Sequence, residues 1–227
     1  MRELATLAPA IEACGLVAHG AFDLDDDERR GALAGIATIA LLGLDPRRGW
    51  AAYAASPEAR NGGGDPLDRW SRRAIDALAI ALGARALYPF GGPPRWPFQR
   101  WAMRAEPMSV SPLGLLIHPL DGLWRGYRGA LAFAERLAAT PRSAAANPCR
   151  TRLTQPCLSA CPVGAFTGAG YDVAVCAARL ASPAGRACMT GGRLARRACP
   201  VGADRAHEPA QAAFHMRAFL AARCGGG

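Results

Sequence analysis

Apolar positions along the first part of the chain switch between helical and extended spacing. Leu4, Leu7 and Ile11 recur three to four residues apart and predict a short helix over 2–14, ended by Gly15. LVAHGAF (16–22) then suits a strand, and ATIALLGL (37–44) is the continuous apolar run of a buried one. In DPLDRWSRRAIDALAIALG (65–83), Leu67, Trp70, Ala74, Leu78 and Ala81 fall on one face. Asp65 and Pro66 predict its N-cap and first turn, and Gly83 its end. ARALYPF (84–90) reads as a strand, and GGPPRWPFQRW (91–101) as irregular chain. Its aromatics Trp96, Phe98 and Trp101 either line a pocket or cover the edge of the core. LGLLIHPL (113–120) and RGALAF (128–133) predict two more strands around a turn at Asp121-Gly122.

Strands with interspersed helices predict an α/β or α+β sheet domain over 1–139. TPRSAAANP (140–148) reads as a linker, and the apolar content thins beyond it until a last helix over 209–223. Residues 140–227 therefore form a second, smaller module. Spanning a membrane as a helix takes about 18–20 consecutive apolar residues, and the chain has no such run. With no signal-peptide pattern at the N-terminus either, the expectation is a cytoplasmic protein that does not enter a membrane.

Charge sharpens the division. All 27 basic side chains are arginine, and residues 140–227 hold 11 of them against three acids, Asp172, Asp204 and Glu208. Such a segment suits nucleic acid, an acidic partner protein or an anionic cofactor, or simply offsets the charge of thiolates.

Six of the eight cysteines crowd into the same segment: Cys149, Cys157, Cys161, Cys176, Cys188 and Cys199. The pentapeptide CPVGA occurs twice, at 161–165 and 199–203. In a bacterial ferredoxin run, C-x2-C-x2-C-x3-C-P, the fourth cysteine ligates a second cluster. Cys157-x3-Cys161-Pro162 matches the end of such a run, and Cys199-Pro200 is a second such terminus. The duplication thus reads as two half-sites exchanging ligands. Zinc is the chemical competitor, but it favours C-x2-C knuckles, and the chain has none. Iron–sulfur binding is the better reading, and both stand above a disulfide set. Cys14 reads as an ordinary small apolar residue, and Cys224 has no partner that the sequence indicates.

Segment 149–203 resembles the dicluster ferredoxin module at the C-terminal end of epoxyqueuosine reductases and related corrinoid-dependent iron–sulfur proteins. Cys149, Cys157 and Cys161 match three members of that family's first run, and Cys176, in YDVAVC, its isolated cysteine. Cys188 and Cys199 match the first and last members of the final run. Arg152 stands where the first run has its second cysteine, and no cysteine lies between Cys188 and Cys199. The family's exchange pattern implies one cluster on Cys149, Cys157 and Cys199 and another on Cys161, Cys176 and Cys188. Each is one thiolate short, so the resemblance implies one or two clusters of [4Fe–4S] or [3Fe–4S] type.

IHPLDGLWRGYRGALAF (117–133) resembles a segment of cobalamin-processing proteins of the cobalamin C type, in which a similar pattern lies on strands of a nitroreductase-like sheet. That resemblance implies an α+β fold (an α/β sandwich with a nitroreductase-like sheet) followed by a small ferredoxin-like iron–sulfur module. It also implies cobalamin bound in a cleft bordered by 113–128 and 91–101, with His118, Trp124, Tyr127 and Arg128 as contacts. His118 on its own equally suits a hydrogen-bonded structural role, and RGYR (125–128) a solvated turn.

Three functions follow. The first is an oxidoreductase component whose module delivers single electrons, received from a redox partner protein, to a corrinoid in the larger domain. The second is a ferredoxin-like carrier without corrinoid. The third is a zinc-stabilised nucleic-acid-binding protein, which the lack of interleaved aromatic and basic residues in the C-terminal segment disfavours. No general acid for epoxyqueuosine-type chemistry is evident, and the substrate is open.

Overall fold

Thr38–Leu44 is the central strand that its apolar run predicts, with six of its seven residues buried. It pairs antiparallel with Leu16–Asp23 on one side and with Tyr127–Phe133 on the other. Arg85–Leu87 joins the far edge of Tyr127–Phe133 and completes a four-stranded sheet. The computed structural model describes residues 2–138, 145–150, 154–167 and 170–224, except for the side chain of Cys224.

Helix Pro66–Leu82 buries Leu67, Trp70, Ala74, Ile75 and Leu78 along one face. Each large apolar side chain so buried contributes about 1.5–3 kcal/mol. A Cβ on Gly129 would lie 2.6 Å from Ile75 Cδ1, so glycine in the Tyr127–Phe133 strand is what lets the helix sit this close. Gly83 ends the helix in the left-handed region at φ +67°, as expected. Asp65 departs from expectation. It occupies the N-cap position but is itself left-handed, at φ +45°, and its side chain caps nothing. Pro66 and the burial of the following face start the helix without it.

A second departure is the helix Phe98–Ala105, where the sequence reads as irregular. Phe98, Trp101, Ala102 and Ala105 recur at helical spacing and are all buried, so packing overrides the Pro- and Gly-rich approach. Of the three aromatics, Phe98 and Trp101 thus cover the core, with Trp96 stacked on Trp101 at 5.7 Å.

The chain divides into two compact units, Met1–Pro107 with Gly126–Ala144 and Met108–Arg125 with Ala145–Gly227. This corrects the expected boundary at 139/140, because 108–125 belongs with the cysteines. Leu113, Ile117 and Leu123, each at most 3% exposed, pack in one core with Cys157, Cys176, Cys188 and Cys199. The strands expected at 113–120 and 128–133 do not pair. Leu116–Ile117 pairs with Ser109–Val110 instead, and Pro119, which lacks an N–H, leaves only an isolated bridge between His118 and Gly122 beyond it. The turn that closes this bridge spans 119–121, one step before the expected Asp121-Gly122, and Gly122 is a partner in the bridge itself.

The second unit also holds a two-residue strand pair, Phe166–Thr167 with Gly170–Tyr171, and short helices, Pro156–Ser159, Val173–Ala181, Arg186–Gly191 and Leu194–Arg197, followed by Pro209–Cys224. Helices beside a separate antiparallel sheet make the class α+β. No described helix is long and apolar enough to cross a membrane.

Candidate metal centre

The two CPVGA copies each turn on a left-handed glycine. In the first, Gly164 is left-handed at φ +58°, its N–H donates to Cys161 O at 3.2 Å, and Ala165 N–H reaches Cys161 Sγ at 3.3 Å. In the second, Gly202 is left-handed at φ +64°. A Cβ there would lie 2.4 Å from the Asp121 carbonyl carbon, so the turn after Cys199 is seated against the 118–122 bridge.

Cys176 and Cys188 are positioned by helix starts and a close approach. Asp172 Oδ1 accepts from Val175 N–H at 2.9 Å and caps the Val173–Ala181 helix, whose first turns carry buried Cys176. Gly185 then passes against that helix: a Cβ on it would lie 2.2 Å from Arg179 O. The chain turns back into Arg186–Gly191, which carries buried Cys188.

Cys161, Cys176 and Cys188 line one small cavity of about 20 Å³. Its walls are apolar, with Val163, Phe166, Leu180 and Leu194, and two cations, Arg179 and Arg193, complete the lining. The Nε atoms of both arginines are buried and have no hydrogen-bond partner. Among the described residues no carboxylate pairs with Arg179, Arg193 or Arg196. Arg193 lies over the Phe219 ring at 4.2 Å and the Tyr171 ring at 5.4 Å, and Tyr171 stacks on Phe166 at 4.6 Å. Burial, then the adjacent Cys176, raises the Tyr171 hydroxyl to about 12; it lies beside that thiol without a well-formed hydrogen bond. Arg196 donates twice to Leu123 O, at 2.6 and 3.1 Å. Burial, then the Arg193 charge, lowers it to about 10. Positive charge is thus concentrated and half-buried beside three soft sulfur donors.

The other expected set is brought together in part. Burial pushes the Cys157 thiol up, and neighbouring Cys199 pushes it the same way, while backbone N–H groups of Leu158 and Cys157 oppose them. Cys149 is half-buried against the same core. Arg152, expected beside Cys149, lies outside the described residues, as do 140–144 of the expected linker. No disulfide joins the described cysteines, and among the described residues no three His, Cys, Asp or Glu side chains close around a single metal ion. Cys14 is in the first unit, half-buried, its thiol pushed up by burial and opposed by Arg73.

The four residues expected to contact cobalamin are divided between the units. His118 and Trp124 belong with the cysteines, Tyr127 and Arg128 with the sheet. His118 Nδ1 accepts from the N–H groups of Leu120 and Asp121 at 3.3 and 3.2 Å, so it shapes its own turn. Burial, then Arg125, lowers its pKa against the opposing pull of Asp121. Trp124 lies under Arg196, 4.3 Å from its guanidinium carbon, and its Nε1 is buried without a partner. Tyr127 Oη bonds Glu106 Oε2 at 2.8 Å. Arg128 ties strand to helix by donating to Ser71 Oγ at 2.9 Å and pairing with Asp68.

Sequence reasoning missed Arg179 and Arg193 as cavity residues, because their pattern is that of any arginine-rich segment; only the count of 11 arginines against three acids hinted at them. It also missed the polar group buried in the sheet unit, where the His19 ring lies 5.5 Å from Tyr127, itself bonded to Glu106. The register of that strand shifts between Ala18 and Ala21, so period-two alternation along 16–23 carries no signal for His19.

The donor chemistry of the Cys161, Cys176 and Cys188 set suits an iron–sulfur cluster: thiols in apolar surroundings, with cationic side chains nearby to offset thiolate charge. No protein family matches the chain, and no curated protein or solved structure matches it either.

Proposed function

We propose that the second unit is an iron–sulfur electron-transfer module of ferredoxin type. The observation that carries this reading is the gathering of Cys161, Cys176 and Cys188 around one cavity, out of six cysteines scattered over 149–199. That trio is one of the two ligand sets implied by exchange between the CPVGA termini. The adjacency of Cys157 and Cys199 supports the other.

Zinc needs its ligands converging on one atom, whereas a cluster takes each thiolate on a different iron. Three thiols spaced around a cavity favour the cluster. Bound there, it would supply one-electron transfer at low potential. The protein's own contributions are distinct: cysteine thiolates hold, apolar walls exclude water, and Arg179 and Arg193 balance the anionic charge.

The nitroreductase-like character of the sheet unit and a corrinoid as electron acceptor rest on the sequence resemblance, and one experiment tests them together with the module. Protein purified without oxygen is expected to be brown, absorbing near ~400 nm as thiolate-bound clusters do, and to contain iron and acid-labile sulfide. Cys161→Ser and Cys199→Ser should each lose about half the iron or more, and Cys14→Ser none. Colourless protein with stoichiometric zinc and no sulfide overturns the reading. Iron and sulfide without corrinoid, before or after addition of cob(II)alamin, leaves the carrier function in place of the corrinoid-dependent one.

A further inference from the structure

The three cysteines that share the small apolar cavity differ in how they are held. Cys176 and Cys188 are buried, at 7% and 8% exposure, on the helices Val173–Ala181 and Arg186–Gly191. The chain between those helices is fixed where Gly185 presses against Arg179 O, with no space for a side chain. Cys161 is only half-buried and lies on a turn. Nothing lies within 4 Å of a Cβ added to Gly164, so no neighbouring segment presses on that turn at its glycine. Its counterpart after Cys199 is wedged against the Asp121 backbone. One accessible thiol with room to shift thus shares a cavity with two fixed, buried ones.

The space they border is about 20 Å³, room for a single water, so the three sulfurs line one narrow gap. A sulfur–sulfur bond closes such a gap and needs no further ligand. Oxidation selects thiols that are reachable and have a second thiol at hand. Cys161 meets both conditions. Its Sγ also accepts from Ala165 N–H at 3.3 Å, and Arg179 and Arg193 line the same cavity, so a donor and positive charge steady the sulfur as it attacks.

We propose that Cys161 is a redox-active thiol, oxidised by a hydroperoxide and resolved as a disulfide by Cys176 or Cys188. In the first step Cys161 Sγ attacks an oxygen of the hydroperoxide. An S–O bond forms, the O–O bond breaks, and the thiol proton leaves with the alcohol or water released, giving a sulfenic acid. In the second step the neighbouring thiol displaces the sulfenic hydroxyl as water, forming the S–S bond. The hydroperoxide is reduced by the two electrons that the paired thiols lose, and a thiol reductant restores them by exchange. The closed pair leaves the cavity a single thiol, so oxidation withholds the site from any metal until it is reopened. The inference concerns the metal-free chain and does not depend on the iron–sulfur reading above.

The test uses the full chain, freed of metal with a chelator, fully reduced, moved into buffer without reductant and treated with hydrogen peroxide. Non-reducing peptide mass mapping over time should find the first intramolecular disulfide between Cys161 and either Cys176 or Cys188, and dithiothreitol should reverse it. In Cys161→Ser, loss of free thiol at Cys176 and Cys188 should slow at least about tenfold. The double variant Cys176→Ser/Cys188→Ser should instead hold Cys161 as a sulfenic acid that dimedone traps. A first disulfide that joins other cysteines, or equally fast oxidation of Cys176 and Cys188 in Cys161→Ser, overturns the assignment. So does a parent chain whose thiols all remain free. The parent's peptide map decides by itself if a serine variant fails to fold. Any of these negative results leaves the iron–sulfur module standing, and protein that binds no iron leaves the thiol pair standing.

Discussion

At His207 the imidazole lies edge-on to Trp124 with ring centroids 5.2 Å apart, near His215 at 5.4 Å. Burial, then the charges of Arg196 and His215, lowers its pKa from 6.5 to about 3. The folded protein therefore keeps this ring neutral where the unfolded chain would protonate it. Its contribution is fully present above pH 6.5 and is lost as the pH falls from there towards 3. Between pH 7 and pH 5 the loss should be about 1–2 kcal/mol. Urea unfolding at the two pH values should show it as a lower midpoint at pH 5, and His207→Phe, which keeps an edge-on ring but cannot titrate, should remove most of the difference. An unchanged pH dependence in that variant means that other groups carry it. No sequence pattern marks His207, because its environment comes from residues about 83 and eight positions away (207 minus 124 and 215 minus 207).

Between elements, the two identical pentapeptides are not equivalent. Both glycines are left-handed, so alanine is unfavourable at either by about 1 kcal/mol. At Gly164 nothing lies within 4 Å of an added Cβ, whereas at Gly202 the Asp121 backbone lies 2.4 Å away. Gly202→Ala should therefore destabilise by about 3 kcal/mol or more and Gly164→Ala by about 1 kcal/mol, measured by chemical unfolding. Equal losses would mean that the second turn is not seated on the 118–122 bridge. The turns were legible in the repeat itself, because Pro and Gly set local backbone geometry. Which copy is pressed against another segment was not. The same contrast explains Phe98–Ala105: the glycines and prolines before it argue locally for irregular chain, and burial of four side chains on one face decides for helix.

For the whole molecule, the division of the chain follows burial rather than chain order. A fragment spanning 145–227 lacks Leu113, Ile117 and Leu123, which complete the core around Cys157, Cys176, Cys188 and Cys199. Removing three buried large side chains at about 1.5–3 kcal/mol each exceeds what so small a unit has to spare. That fragment should unfold without a cooperative transition. The same fragment joined through a short linker to 108–125 should regain one, followed by near-ultraviolet circular dichroism in urea. Equal cooperativity in both would return the boundary to the linker region near 140.

The sequence by itself determined the central strands, the Pro66–Leu82 helix and the grouping of six cysteines in one basic segment. Apolar periodicity and residue type are local properties, and they survive whatever the rest of the chain does. Only the tertiary structure decided that 108–125 joins the cysteines, that His118 braces its own turn while Tyr127 and Arg128 serve the other unit, and that Arg179 and Arg193 share a cavity with three thiols. Those outcomes depend on which distant surfaces exclude water together, and that is a property of the assembled core.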